Sequence, residues 1–201
     1  MIGQIGHLGK VSPRVGITTA SLYTVGACIG ACLTGAALGT LGLFVRWLFH
    51  LGYNGHETVI LLIVGLAALV GGLRDLGFVR LELPQPFKQV PSHWMRVFGP
   101  QRTGFLWGVS VGLGFNTMIQ FSLYYVLALW IVLIGQPALG AAALAAYAAA
   151  QGILLTLDTT AMAVRCAGPG GILGVLRTNM FYRLSGLVLI AYGVCFLSRF
   201  L

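Results

Sequence analysis

The stretch that decides the fold is Thr103–Leu157, TGFLWGVSVGLGFNTMIQFSLYYVLALWIVLIGQPALGAAALAAYAAAQGILLTL, which contains no charged residue. It is far too long for one buried helix of a soluble domain. A bilayer crossing needs about 20 apolar residues, so the stretch reads as two crossings joined by a tight turn. Gly135-Gln136-Pro137 is that turn. Proline is tolerated in the first turn of a helix, where its missing N–H would be unbonded in any case. The reading therefore places helices over 103–134 and 138–157.

Three further apolar segments flank this pair, at 17–44, 58–79 and 182–199, the second and third each borrowing a flanking turn. Composition agrees. Charged residues make up 8% of the chain and hydrophobic residues 58%, against about 25% charged in a soluble domain. The expected fold is an all-α integral membrane protein. It is a bundle of about five transmembrane helices forming a single transmembrane domain over 1–201, with cytoplasmic loops at 80–102 and 158–181. The uncharged run Val15–Val45 is too long for the apolar region of a signal peptide, so the first segment is read as retained.

The basic residues orient the bundle. Lys10 and Arg14 precede the first span. Arg74, Arg80, Lys88, Arg96 and Arg102 follow the second. Arg165, Arg177 and Arg183 follow the fourth. These ten fall on one side, and only Arg46 and Arg199 fall on the other. Positive loops stay inside, so the N-terminus is cytoplasmic, the C-terminus outside, and the number of crossings odd. The same spacing argues against a nucleic-acid partner, because the net charge of +8 is spread between apolar runs rather than gathered into a patch. The expected partners are the lipid bilayer and other integral membrane proteins, in a bacterial or archaeal inner membrane. The loop 81–102, with four prolines and with Phe87, His93 and Trp94, is expected to lie along the headgroups, with a docking surface as the sharper alternative.

Helices in lipid approach closely where residues are small. Gly26, Gly30, Gly35 and Gly39 on the first span, and Gly108 and Gly112 on the third, are the expected packing positions. Polar residues inside an apolar span mark candidate sites. Asn116, Thr117 and Gln120 fall within the third span, where Gly112-Leu113-Gly114 offers a break in the helix. Asp158 closes the fourth. One reading makes these a polar intramembrane site for a small solute or ion; the other makes them a tilted helix bonded to its neighbours and a headgroup carboxylate.

Cys28 and Cys32 stand one helical turn apart. They are either small apolar packing residues or a thiol pair. His50 and His56 lack a third ligand, so no metal and no cofactor is expected. No catalytic motif appears, and the chain is not expected to be an enzyme.

Two stretches carry a resemblance. They are GLAALVGGLRDLGFVRLELP, after the first Gly-rich span, and FLWGVSVGLGFNTMIQFSLYYVLAL, followed by AAYAAAQGILLTL and VLRTNMFYRLSGLVLIAYGVCFL. Their order resembles the transmembrane domain of the CcdA/DsbD family of cytochrome c biogenesis and thiol–disulfide transport proteins. The resemblance implies two inverted three-helix repeats with a cysteine beside a proline in the first helix of each. This chain would lack the first helix. Asn116-Thr117 stands where the second cysteine would fall. The resemblance thus implies a non-catalytic accessory or assembly subunit of a membrane complex that keeps the scaffold and has lost the reaction. The alternatives are transport through the polar break in the third span, or a surviving thiol–disulfide carrier at Cys28 and Cys32.

Overall fold

The computed structural model describes residues 12–48, 57–79, 94–114, 122–164, 183–195 and 198. Those residues form six helices and no strand: α1 (Pro13–Leu48), α2 (Glu57–Asp75), α3 (Trp94–Gly112), α4 (Ser122–Ile134), α5 (Pro137–Val164) and α6 (Arg183–Cys195). Three of them, α1, α2 and α5, are long and apolar enough to cross a membrane. Large apolar side chains stay exposed along their flanks, Trp47 at 71% and Leu157 at 61% among them. Apolar exposure on that scale is foreign to a water-facing monomer and compatible with lipid.

The helix ends follow local chemistry. At the end of α2, Gly77 takes a left-handed φ of 88°. Its N–H bonds to Arg74 O at 2.9 Å, and the N–H of Phe78 bonds to Leu73 O at 2.9 Å. This pair of bonds satisfies the last carbonyls, and glycine favours the conformation because it lacks a Cβ. Gly135, with φ 65°, ends α4 in the simpler way, its N–H bonding to Ile131 O at 3.0 Å. Gln136 then accepts the first bond of α5, and Pro137 opens that helix, where the sequence places it.

The segment 103–134, expected as one helix, holds two. Helix α3 closes at Gly112, with Leu113 and Gly114 bonded back to Val109 and Val111, and α4 starts at Ser122. The cause is local, since Gly114 sits at φ 73° and takes the chain out of the helix. Helix α3 is itself bent near its start. Gly99 has φ 75° and ψ 168°, so the regular helix begins at Pro100. Helix α5 continues past Leu157 to Val164, into the segment expected as loop.

The chain divides into two compact units. The first holds α1 up to Ala36, α3, and α5 from Ala141. Its centre is Trp107 (2% exposed) against Ala20, with Tyr23, Trp94 and Leu155 packed around them. Here α1 and α3 run parallel, Thr19 facing Gly104, Tyr23 facing Gly108 and Ala27 facing Gly112. Helix α5 runs antiparallel to α1, with Gly152 against Thr24 and Ala145 against Cys28. The second unit holds the end of α1, α2, α4, the start of α5, and α6. Within it α2 runs antiparallel to α6, Leu69 meeting Gly193 and Leu76 meeting Gly186. It also runs antiparallel to α4, Gly71 lying against Ser122 and Val126 while Asp75 bonds to Ser122.

Candidate functional site

The most polar point among the described residues lies in the second unit, where α2, α4 and α6 meet. Asp75 is the last residue of α2, and its side chain is fully buried. An acid there opposes the helix dipole, and a lone buried carboxylate costs several kcal/mol. Neighbouring donors offset both costs. Oδ1 accepts from Arg74 Nη1 at 3.0 Å and Ser122 Oγ at 2.7 Å. Oδ2 accepts from the Ser122 backbone N–H at 3.2 Å and from Ser185 Oγ at 3.2 Å. Arg74 Nη1 also donates to Ser122 Oγ at 3.2 Å. A carboxylate offers about four lone-pair positions, and here all four are used.

The Ser122 N–H is one of the unbonded donors at the start of α4. Asp75 therefore caps α4 from a neighbouring helix, at the end where negative charge is favoured. The opposite end of α4 receives the opposite charge. Arg46 Nη1, from the end of α1, donates to Ile134 O at 2.7 Å and reaches Leu133 O at 3.4 Å. The 13 residues of α4 extend about 20 Å at 1.5 Å per residue, with a carboxylate at the first turn and a guanidinium at the last. This arrangement locks a short apolar helix in place. Each oxygen of the Asp75 carboxylate thus meets two donors.

Sequence reasoning counted Arg46 and Arg74 as topology signals and passed over Asp75 and Ser185. One signal was available: Asp75 is one of only four acids in the chain and directly follows the apolar run of α2.

The expected packing residues fall as follows. Gly26 and Gly30 of α1 press on the backbone of α3 at Phe105 and Val109, while Gly108 and Gly112 press on α1 at Tyr23 and Ala27. A Cβ at any of the four would run into a carbonyl oxygen. Thr34 Oγ1 lies 3.0 Å from Gly30 O and 3.1 Å from Gly112 O, one hydroxyl shared between the two helices. Gly35 is buried. Gly39 belongs to the second unit, against Gln136 and Pro137.

Cys28 and Cys32 are both free thiols. Cys28 points its Sγ at Ala145 O, 3.8 Å away, whereas Cys32 is exposed. Asn116, Thr117, Gln120, His50 and His56 lie outside the described residues, as does the side chain of Asp158, which sits on α5. Among the described residues no three His, Cys, Asp or Glu come together as a metal site.

Comparison with known proteins redirects the reading. The chain is similar to the methylamine utilization protein MauF of Paracoccus denitrificans, 33% identical over 119 residues, which is 59% of this chain and 41% of that protein. The MauF of Methylorubrum extorquens is 33% identical over 104 residues, 52% of this chain and 34% of the relative. That of Paracoccus versutus is 31% identical over 134 residues, 65% and 46%. The chain thus spans less than half the length of these curated relatives. No family model matches it, and no solved structure is similar to it.

These relatives are named for methylamine utilization, not for cytochrome c biogenesis or thiol–disulfide transport. The CcdA/DsbD assignment is therefore overturned, and with it the degenerate scaffold that the resemblance implied. The alternatives of solute transport and thiol relay find no support in the relatives either. The physical reason for the error is plain. The resemblance rested on hydropathy, glycine content and loop order, which any bundle of lipid-facing helices shares.

Proposed function

We propose that this chain is a non-catalytic membrane protein that serves methylamine utilization, the process for which its relatives are named. Its place is the inner membrane of a bacterium, where it packs against other integral membrane proteins. The similarity to MauF over half or more of the chain carries the reading. The saturated Asp75 node supports a role without chemistry at that point. Deleting the gene from a methylamine-using bacterium that carries it should abolish growth on methylamine while leaving growth on ammonium intact. Equal growth of mutant and parent on methylamine would refute the proposal.

The proposed topology has five crossings, with α3 and α4 sharing the third. Helix directions support it. With the first crossing running outward, odd crossings run one way and even crossings the other. That alternation requires α3 parallel to α1, α5 antiparallel to α1, and both α4 and α6 antiparallel to α2. Each pair runs so within its own unit. Two separate crossings by α3 and α4 would make α4 parallel to α2, opposite to the observed direction. A C-terminal alkaline phosphatase fusion should be active outside the cytoplasm, and a C-terminal green fluorescent protein fusion should stay dark. The reverse pattern would overturn the odd count.

A further inference from the structure

The first unit carries a groove that helix packing leaves open. It has a volume of about 430 Å³ and is lined by Leu22 of α1 and by Phe98, Gln101, Arg102, Phe105 and Leu106 of α3. Four of the six are apolar. The two polar residues are adjacent and exposed, in the first turn after Pro100. Arg102 makes no hydrogen bond or ion pair among the described residues.

The bend at Gly99 shapes this groove. It separates the Trp94–Phe98 turn from the regular helix. Thr103 Oγ1 holds the turn through a 2.9 Å bond to Trp94 O, and the Trp94 and Phe98 rings meet edge-on at 6.4 Å. Phe98 is thereby set on the groove wall beside Arg102. Because α1 and α3 run parallel, with Thr19 level with Gly104, the exposed Arg14 in the first turn of α1 lies toward the same end. An apolar trough with cations at its mouth suits an amphiphile with a negative head.

We propose that this groove binds one anionic phospholipid, its phosphate at Arg102 and Gln101 and an acyl chain along Leu22, Phe105 and Leu106. Charge complementarity selects this occupant. In the proposed topology this end of the unit faces the cytoplasm, with ten of the twelve basic residues, and the cytoplasmic leaflet is the one whose anionic lipids attract such residues. Arginine also matches phosphate through paired N–H donors, giving stronger bonds than neutral groups do. The inference rests on the membrane placement above.

The full chain, purified in mild detergent, is equilibrated with equimolar phosphatidylglycerol and phosphatidylcholine, and retained lipid is read by native mass spectrometry. The wild type should keep phosphatidylglycerol preferentially. Arg102→Gln should cut that preference about fivefold, the weight of one basic residue near an anionic surface. Arg183→Gln, an exposed arginine of the second unit, should leave it unchanged. Leu22→Trp should lower retention by filling the trough without altering charge, which keeps the idea testable if Arg102→Gln fails to fold. Lack of preference in the wild type, equal losses for Arg102→Gln and Arg183→Gln, or displacement of the lipid by excess inorganic phosphate would each overturn the lipid site. A chain absent from alkali-washed membranes would overturn the membrane placement and this site together. A chain present there without lipid preference overturns this site alone.

Discussion

The two units share one device and differ in a second. In the first, α1 and α3 meet through Gly26, Gly30, Gly108 and Gly112, whose missing side chains let the backbones touch. In the second, Gly72 meets Gly186 and Gly42 meets Val132 in the same way, but α2, α4 and α6 are joined in addition by a buried acid, an arginine and two serines. Glycine contacts gain dispersion along a whole face, with each glycine guarding one point of backbone approach. The polar node concentrates its effect at one carboxylate, so it fails all at once. Glycine sets closeness in both units, and in the second the polar node also sets register.

Substitution can break this comparison, and the larger effect is expected at the node. Asp75→Leu takes the shared acceptor from Ser122 and Ser185 and the cap from α4, while Arg74 keeps Ser122 Oγ. Each hydrogen bond to a charged group is worth about 1.5–3 kcal/mol, several are lost together, and thermal unfolding in detergent should show the loss. A change below about 1 kcal/mol would mean that the node is decoration. Gly108→Val is expected to cost about 1–3 kcal/mol from overpacking, because it drives a Cβ into the backbone of α1 at Tyr23, where no side chain can rotate away. A larger loss for Gly108→Val than for Asp75→Leu would invert the comparison, and closeness rather than register would then hold the bundle together.

Much of the fold was legible in the chain. Gln136-Pro137 marks the start of α5, and the glycines of α1 and α3 announce a close crossing. Gly112-Leu113-Gly114 hints at the interruption that separates α3 from α4, although hydropathy runs straight through it. The polar node was not legible. Asp75, Ser122 and Ser185 are far apart in sequence, and only tertiary structure brings them together. Arg46 misled in a different way, since a residue counted as a charge between spans is also the cap of α4. The resemblance failed because its signals were shared by membrane helices in general, whereas the match to MauF depends on residue identities.

The order of synthesis adds a consequence to the node at Asp75. Arg74 and Asp75 leave the ribosome together, Ser122 follows, and Ser185 comes only with the last described helix. The carboxylate thus has its arginine beside it from the outset, then gains α4, and meets its last donor only when α6 arrives. A chain stalled before α6 would carry a half-satisfied acid, a chemical mark by which quality control could tell an unfinished protein from a finished one.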